Sequence, residues 1–192
     1  MPEAAAQTPT PESEPPEQRS AAYRFVERVT ALARGERAML KRNAGNTLAE
    51  ARGCSWFYRL RPGWDEEVHF LIATLVCTAR EPKRGLGRAV GFGRAMAELA
   101  AKSNREGMNR RFGVLLDSQF GNESGQAAGG ELAFRLRQLV KLADANEIAV
   151  PWVSLLEDLL QWGRPDKRVQ KKWARDYFQH EPNNGASTGG TV

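Results

Sequence analysis

The sequence predicts an all-α protein, a single compact bundle of about eight helices. Apolar residues recur at spacings of three and four along most of the chain, which is the period of an amphipathic helix. No two runs of alternating polar and apolar residues are joined by a hairpin turn, and no internal repeat is present. With 192 residues, of which 41% are hydrophobic, the chain is large enough to enclose one core.

The helical domain is expected to span residues 18–180, with a disordered tail at each end. Residues 1–17 contain five prolines, four glutamates and no basic residue, a composition that cannot offset the entropy of ordering. Residues 181–192 are rich in Gly, Asn, Ser and Thr and are expected to fray. The longest apolar run, 70–77, is far shorter than the roughly 20 residues of a membrane span, and no signal-peptide pattern precedes it. We therefore expect a cytoplasmic protein that does not contact a membrane.

The first helix is predicted by one apolar stripe and ends at Gly35, a common C-terminal stop. The stripe consists of Ala22, Phe25, Val26, Val29 and Leu32. A short helix is expected over 36–42, and another from a cap at Asn46 to Arg52.

Residues 55–60 are aromatic and apolar, and Pro62-Gly63 interrupts the chain after them. Asp65 can cap a following helix. The apolar stripe of that helix consists of Val68, Leu71, Ile72 and Leu75. The run 70–77 could also form one buried strand, because periodicity alone does not separate the two.

The second half predicts five helices. The first covers 86–101, and the next opens at a capping box with Ser103 as the cap and Glu106 three residues later. A polar, Gly-rich loop is expected over 121–130. An apolar stripe over 132–143 predicts the third helix.

Two prolines mark the last part of the helical domain. Pro151 lies in the first turn of a helix that is expected to stop at Gly163, and Pro165 opens the last helix. The apolar stripe of this last helix consists of Val169, Trp173 and Tyr177.

Four glycines, Gly85, Gly87, Gly91 and Gly93, superficially suggest a dinucleotide-binding loop. Their spacing departs from the fingerprint, and no βαβ unit surrounds them. Close packing between helices, or a kink, is the better interpretation.

The residues that usually carry metal or nucleophilic chemistry are scarce. Cys54 and Cys77 cannot form a disulfide framework and are expected to be buried thiols. The chain has two histidines, His69 and His180, and His69 adjoins an apolar stripe, which favours a place at the core edge. No metal or cofactor is predicted.

Two pairs of adjacent acids could be imagined as the metal ligands of a nuclease. They are Glu66-Glu67 and Glu157-Asp158. Neighbours on a helix diverge by about 100°, so solvated faces are the better interpretation.

The five tryptophans invite a base-stacking interpretation. Trp152 and Trp173 fall on apolar stripes, so core packing is favoured for both. For Trp56 and Trp64, which lie beside loops, both interpretations stay open.

Basic residues are segregated along the chain. The whole chain has 28 Lys+Arg against 23 Asp+Glu, and without residues 1–17 the acidic count is 19. Basic residues predominate over 34–61, 80–111 and 164–175, whereas 143–158 contains four acids and no base. Such segregation is typical of a surface that follows phosphates, and guanidinium groups pair phosphate oxygens bidentately.

Several short blocks, in this order and setting, resemble the CasB family, the small subunit of the type I-E CRISPR Cascade complex. The blocks are GERAMLKR at 35–42, WFYRL at 56–60, LGRA at 86–89, NRRF at 109–112, LRQLV at 136–140, and the segment from Val150-Pro151-Trp152 to Trp162, with Trp173 beyond. The resemblance covers about residues 20–180. The acidic start and the loop 121–130 lie outside the shared pattern.

The resemblance implies an all-α, non-enzymatic protein that is present in two copies in Cascade and contacts its other subunits. Such a protein holds the R-loop open by binding the displaced single-stranded DNA and bracing the duplex of guide RNA and target. A clamp of this kind needs phosphate contacts rather than base readout. Carried onto the matched blocks, this role falls to Arg37, Lys41, Arg42, Arg59, Arg88, Arg110, Arg111 and Arg137.

Two other functions stay open from the sequence. A helical scaffold could use the same basic faces to bind acidic protein subunits. A metal-dependent nuclease that uses Glu157 and Asp158 is a minor third possibility.

Overall fold

The computed structural model describes residues 19–119 and 130–180, and over these residues the chain is helical. Eight α-helices follow in order: α1 Ala21–Thr30, α2 Arg34–Arg42, α3 Glu66–Thr78, α4 Phe92–Lys102, α5 Arg105–Asp117, α6 Glu131–Ala145, α7 Trp152–Leu159 and α8 Arg168–Phe178. Two short 3-10 helices cover Ser55–Leu60 and Pro82–Gly85. No β-strand occurs in the described ranges, so the all-α prediction is confirmed. The two predicted tails, and the loop 121–130 except Gly130, lie outside these ranges.

Helix α3 forms the centre of the bundle. Every residue from Val68 to Cys77 is buried, and α1, α2, α6 and α7 all pack against this helix. The Asp65 carboxylate accepts a hydrogen bond from the backbone N–H of Val68 (3.1 Å) and caps the first turn. A helix that is buried on all sides has no polar face, so its sequence lacks the amphipathic pattern. For this reason the sequence alone could not decide between a helix and a buried strand here.

Helices α4 and α8 approach each other closely. A Cβ built on Gly93 would lie 2.5 Å from the carbonyl oxygen of Trp173. A Cβ on Gly85 would lie 1.8 Å from the carbonyl oxygen of Val150. The structure therefore favours close packing as the role of these two glycines.

Trp173 is the centre of the contact between α8 and its neighbours. Its ring centroid lies 4.6 Å from that of Phe92 and 4.9 Å from that of Trp162. Its indole Nε1 donates a 2.6 Å hydrogen bond to the buried carboxylate of Asp158, which also accepts from Lys172 Nζ at 2.9 Å. The buried indole N–H and the buried carboxylate therefore each have a hydrogen-bond partner.

Two predicted boundaries near the N-terminal side are wrong. Helix α1 ends at Thr30, and Gly35 lies in the first turn of α2. The Glu36 carboxylate accepts a hydrogen bond from the Ala33 N–H (3.3 Å), and this interaction starts a new helix before the glycine can act as a stop.

The helix expected from Asn46 to Arg52 is also wrong, because the segment forms turns. The Asn43 side chain donates to the Arg52 carbonyl (3.1 Å) and accepts from the Arg52 N–H (3.1 Å). The Glu67 carboxylate accepts from the Leu48 N–H at 3.1 Å. Such side-chain bonds to the backbone compete with helical ones.

Three helix starts in the second half are later than predicted. Helix α4 starts at Phe92 rather than 86, α5 is capped by Asn104 rather than Ser103, and α8 starts at Arg168 rather than Pro165. Asn104 accepts from the Gly107 N–H (3.0 Å), whereas the Ser103 hydroxyl donates to the Leu99 carbonyl. The cap thus belongs to the neighbouring residue.

The cysteines and the first histidine are buried, as expected. Burial raises the pKa of the Cys77 thiol to about 12, so it stays protonated. No helix of the described residues is long and apolar enough to cross a bilayer.

The stability of the bundle is expected to decrease below about pH 6.5 because of His69. Gly63 donates its N–H to His69 Nε2 (3.1 Å), so Nδ1 carries the proton and donates to the Asp65 carbonyl at 2.6 Å. Burial lowers the pKa of His69 in the folded state. The unfolded chain therefore binds a proton more readily, and the stabilisation that is present at neutral pH is lost as the pH falls.

Urea unfolding at about pH 7.5 and about pH 5.5 checks this expectation. The His69→Gln variant keeps a donor and an acceptor but does not titrate, and should show a smaller loss between the two values. An equal loss in the variant and the parent would assign the pH dependence to other groups.

Candidate nucleic-acid interface

The end of α2 presents two free cations. Lys41 and Arg42 are exposed, and no carboxylate of the described ranges lies within 4 Å of either. The buried Asn43 fixes the turn behind them, because its amide also donates to the Met39 carbonyl (3.0 Å). The turn continues through Gly45, whose φ of 108° suits glycine.

Arg137 joins α6 to this turn. Its Nη1 donates to the Ala44 carbonyl oxygen at 2.5 Å, and a Cβ on Gly45 would lie 1.8 Å from the same nitrogen. The surfaces of α2 and α6 are therefore continuous. Gly45 satisfies both the positive φ and the close approach of the guanidinium group.

A groove between α5 and α6 extends the positive surface. It encloses a cavity of about 490 Å³, and Arg111 of α5 faces Arg135 and Lys141 of α6 across it. Arg135 pairs with Glu131 at 3.1 Å, whereas Arg111 and Lys141 have no carboxylate within 4 Å among the described residues. Arg110, next to Arg111 in the chain, has 81% of its side chain exposed and lies 4.0 Å from Glu106.

Phe134 is an exposed aromatic residue within this positive surface. It is 45% exposed, and the guanidinium carbons of Arg135 and Arg137 each lie 5.8 Å from its ring centroid. An aromatic ring flanked by cations can stack on a nucleobase while the cations meet the phosphates.

We call these residues of α2, α5 and α6 together the basic surface. Its members are Lys41, Arg42, Arg110, Arg111, Phe134, Arg135, Arg137 and Lys141. It brings together five of the eight residues singled out from the sequence. The sequence analysis did not single out Phe134, Arg135 and Lys141. Phe134 and Lys141 lie one helical turn on either side of Arg137, and this spacing could have identified them.

The other three predicted residues lie in different surroundings. Arg88 is buried except for 18% of its side chain, pairs with Glu98 and donates to the Ala149 carbonyl at 2.7 Å. Arg37 is half-buried beside the Cys77 thiol. Arg59 is exposed.

Two groups near Arg59 engage its guanidinium group. They are the Glu36 carboxylate, with which it pairs, and the Trp56 ring, whose centroid lies 5.6 Å away. The structure thus commits Arg37 and Arg88 to internal contacts and leaves Arg59 partly available.

The other candidate chemistry does not assemble. Asp158 is buried against Trp173 while Glu157 is exposed and contacts Ser20 (3.2 Å), so these two acids diverge. In the part of the chain that the structure describes, no three His, Cys, Asp or Glu side chains converge as metal ligands would. Trp152, Trp162 and Trp173 are core residues.

The remaining two tryptophans differ in exposure. Trp56 is half-buried, and its ring packs against the core. Trp64 is 79% exposed.

The fold and this surface define a small all-α protein with a continuous cationic face. The family model of the CRISPR-associated protein Cse2 matches residues 36–178. The chain therefore belongs to the Cse2 family, which is also called CasB, and the resemblance noted from its sequence blocks is confirmed.

Relatives of known structure agree with this assignment. The crystal structure of M. ruber CasB is similar with a TM-score of 0.66 and 26% identity, over 83% of this chain and 93% of that one. A Cse2-family CRISPR-associated protein from Thermus thermophilus gives a TM-score of 0.63 and 26% identity, over 84% and 99%.

A curated relative is also similar in sequence. The CRISPR-associated protein Cse2 of Thermus thermophilus is 33% identical over 114 residues, or 59% of this chain. The matched region spans 57% of the length of that relative.

Proposed function

We propose that this chain is the non-catalytic small subunit of a type I-E Cascade complex, and that it stabilises the R-loop by binding nucleic-acid backbone. Its partners are the guide RNA, single-stranded DNA, the other Cascade subunits and a second copy of itself. Family membership supports the place in the complex. The basic surface supports the binding role.

The single observation that carries the binding role is a set of cations on three helices of which five, Lys41, Arg42, Arg111, Arg137 and Lys141, have no carboxylate within 4 Å among the described residues. Arg137 holds the end of α2 against α6, and the groove brings Arg111 of α5 to the same side. A surface on which most cations have no carboxylate partner is one on which a phosphate chain can replace bound counterions.

The physical requirement for an R-loop clamp matches such a surface. Exchange of a DNA duplex for an RNA–DNA hybrid is nearly balanced in free energy, so contacts to the backbone can tip it. The protein must tolerate any target sequence, and phosphate contacts carry no sequence information. Phe134 adds a stacking surface that accepts any base.

The residues predicted from the sequence differ in how directly they would contact phosphate. Lys41, Arg42, Arg110 and Arg111 are the direct phosphate contacts, and Arg59 is an outlying one. Arg137 contributes charge while it holds the α2–α6 junction. Arg37 and Arg88 act indirectly, because their guanidinium groups bind the protein itself.

Single-stranded DNA binding should weaken steeply with salt and be independent of sequence. The logarithm of the binding constant should fall by about 0.7 per phosphate contact for each tenfold rise in salt. A gel shift or anisotropy titration with two unrelated oligonucleotides over a salt series measures both properties. Absence of binding even at low salt would contradict this role and favour a scaffold that binds acidic protein subunits.

The triple variant Lys41→Ala, Arg42→Ala, Arg110→Ala should bind single-stranded DNA about 10- to 100-fold more weakly than the parent. Its salt slope should be smaller by about 2, since three phosphate contacts are removed. All three side chains are exposed, so the unfolding transition should not change.

A charge-matched variant provides the control. Lys83→Ala, Lys167→Ala, Lys171→Ala also removes three exposed cations, but none of them lies on the basic surface. If both triple variants lose affinity equally, net charge rather than the basic surface governs binding. An unchanged affinity of the first variant would defeat the assignment of the surface.

A further inference from the structure

A second cationic site lies outside the basic surface, between α1 and the chain that leaves the first 3-10 helix. It is a cavity of about 250 Å³, and its lining includes Arg24, Arg28 and Arg61 together with Gly63 and His69. Arg24 and Arg28 are one turn apart on α1. Arg61 follows the 3-10 helix in a left-handed conformation, with φ 51°.

Among the described residues no carboxylate neutralises the three guanidinium groups, and Arg24 Nη1 donates to the Arg19 carbonyl oxygen at 2.9 Å. No carboxylate of the described residues lies within 4 Å of Arg24, Arg28 or Arg61. The adjacent Glu27 pairs instead with Arg19 at 2.8 Å. Like charges that meet in a concave site repel each other, and an anion between them would remove that repulsion.

Arg28 is the least exposed of the three arginines. Its Nε is buried and makes no hydrogen bond within the described part of the chain. Burial, and then the charges of Arg61 and Arg24, lower the pKa of Arg28. A buried donor without a partner costs free energy that a ligand oxygen would recover.

The wall of the cavity is fixed by hydrogen bonds. His69 accepts from the Gly63 N–H at 3.1 Å, and a Cβ on Gly63 would lie 2.8 Å from the His69 ring. The chain therefore turns tightly over a neutral imidazole, and this turn places Arg61 at the cavity. The site is thus held in position by the fold and does not depend on flexible side chains alone.

Trp64 adjoins this site. It follows Gly63 directly, is 79% exposed, and is not part of the core. Exposure of so large an apolar side chain costs hydration free energy unless a partner covers it, and an indole ring is a good stacking surface for a base.

We infer that this cavity binds a phosphate group of single-stranded nucleic acid through Arg24, Arg28 and Arg61, while Trp64 stacks on an adjoining base. The site rests on the proposed function, because its ligand is the same class of nucleic acid, and it adds an anchor apart from the basic surface. An arginine cluster suits phosphate oxygens, which accept from each guanidinium fork. The sequence did not single out Arg24 and Arg28, because they lie on the polar face of α1 and outside the three basic segments.

The test uses the full chain with a dT oligonucleotide and an abasic oligonucleotide of the same length. Arg24→Gln with Arg61→Gln should weaken binding of both about tenfold, because the phosphate contacts are common to both. Trp64→Ala should weaken binding of the dT oligonucleotide about tenfold and leave binding of the abasic one unchanged. Both changes affect exposed side chains, so folding should be retained.

Tryptophan fluorescence gives a second readout. Trp152, Trp162 and Trp173 are at most 2% exposed and Trp56 is half-buried, whereas Trp64 is 79% exposed, so quenching by the dT oligonucleotide should come mainly from Trp64. The Trp64→Phe variant should lose this quenching. Lys167→Gln is the matched control for Arg61, because it too is exposed and left-handed (φ 49°), and it should leave the affinity unchanged.

Each outcome separates this site from the proposed function. If the parent binds neither oligonucleotide, both the function and the site fail. If the parent binds, and the Lys41, Arg42, Arg110 variant is weakened while the arginine-to-glutamine and Trp64 variants are not, the function stands and this site is overturned. The arginine-to-glutamine variant could instead bind polyglutamate more weakly than the parent does while it binds both oligonucleotides as tightly. That result would identify the cavity as a site for acidic protein segments and would also overturn the inference.

Discussion

Replacement of Trp173 by alanine should lower the free energy of unfolding by about 3–5 kcal/mol. The indole ring is completely buried between Phe92 and Trp162, and its removal leaves a cavity at the centre of the α4–α8 contact. The change also removes a donor to the buried Asp158 carboxylate. Loss of packing and loss of a hydrogen bond therefore act in the same direction.

Denaturant unfolding measures this effect, and Trp64→Ala is the control. The same substitution at an exposed tryptophan should change the free energy of unfolding by less than about 0.5 kcal/mol. Similar losses in the two variants would show that Trp173 does not have the central place in the core that its contacts indicate.

Replacement of Gly93 by alanine should lower the free energy of unfolding by about 2 kcal/mol. The new Cβ would lie 2.5 Å from the Trp173 carbonyl oxygen and 2.9 Å from its Cα. These are backbone atoms, so the contact is relieved only if α4 and α8 move apart. The cost of that movement exceeds the gain in helix propensity.

Gly113 provides a control with the opposite sign. It also lies inside a helix, α5, and a Cβ there would meet no atom of the described residues within 4 Å. Gly113→Ala should therefore raise the free energy of unfolding by about 0.5–1 kcal/mol. If both variants were stabilised, the two helices would not be in the close contact described here.

These two stability variants lie away from the cationic sites. Helices α4 and α8 contribute no residue to the basic surface or to the arginine cavity. Under conditions in which the Gly93 variant remains folded, its affinity for single-stranded DNA should match that of the parent. Stability and binding can thus be examined separately.

The sequence was most informative where a helix is amphipathic. The stripes on α1, α6 and α8 predicted these helices, because burial of one face imposes the helical period on the apolar residues. Helix boundaries were less predictable, because they depend on which side chains bind nearby backbone groups. The Glu36 carboxylate at the Ala33 N–H decides the start of α2, and Arg88, before α4, binds the distant Ala149 carbonyl.

The candidate sites, like the helices, were predicted only in part from the sequence. Charge segregation indicated an anion-binding protein, and the resemblance to CasB located five residues that the basic surface contains. The sequence could not distinguish Lys41, which is exposed, from Arg88, which binds Glu98 inside the protein. Nor could it show that Arg24 and Arg28 meet Arg61, since only the turn over His69 brings them together.

The sequence by itself determined the fold class, the family and the excess of positive charge, because hydrophobic period, short motifs and composition are properties of neighbouring residues. Only the tertiary structure decided which cations remain available for a ligand. That choice depends on contacts between segments far apart in the chain, where a guanidinium group either pairs with a carboxylate of the protein, as Arg88 does with Glu98, or keeps its charge available.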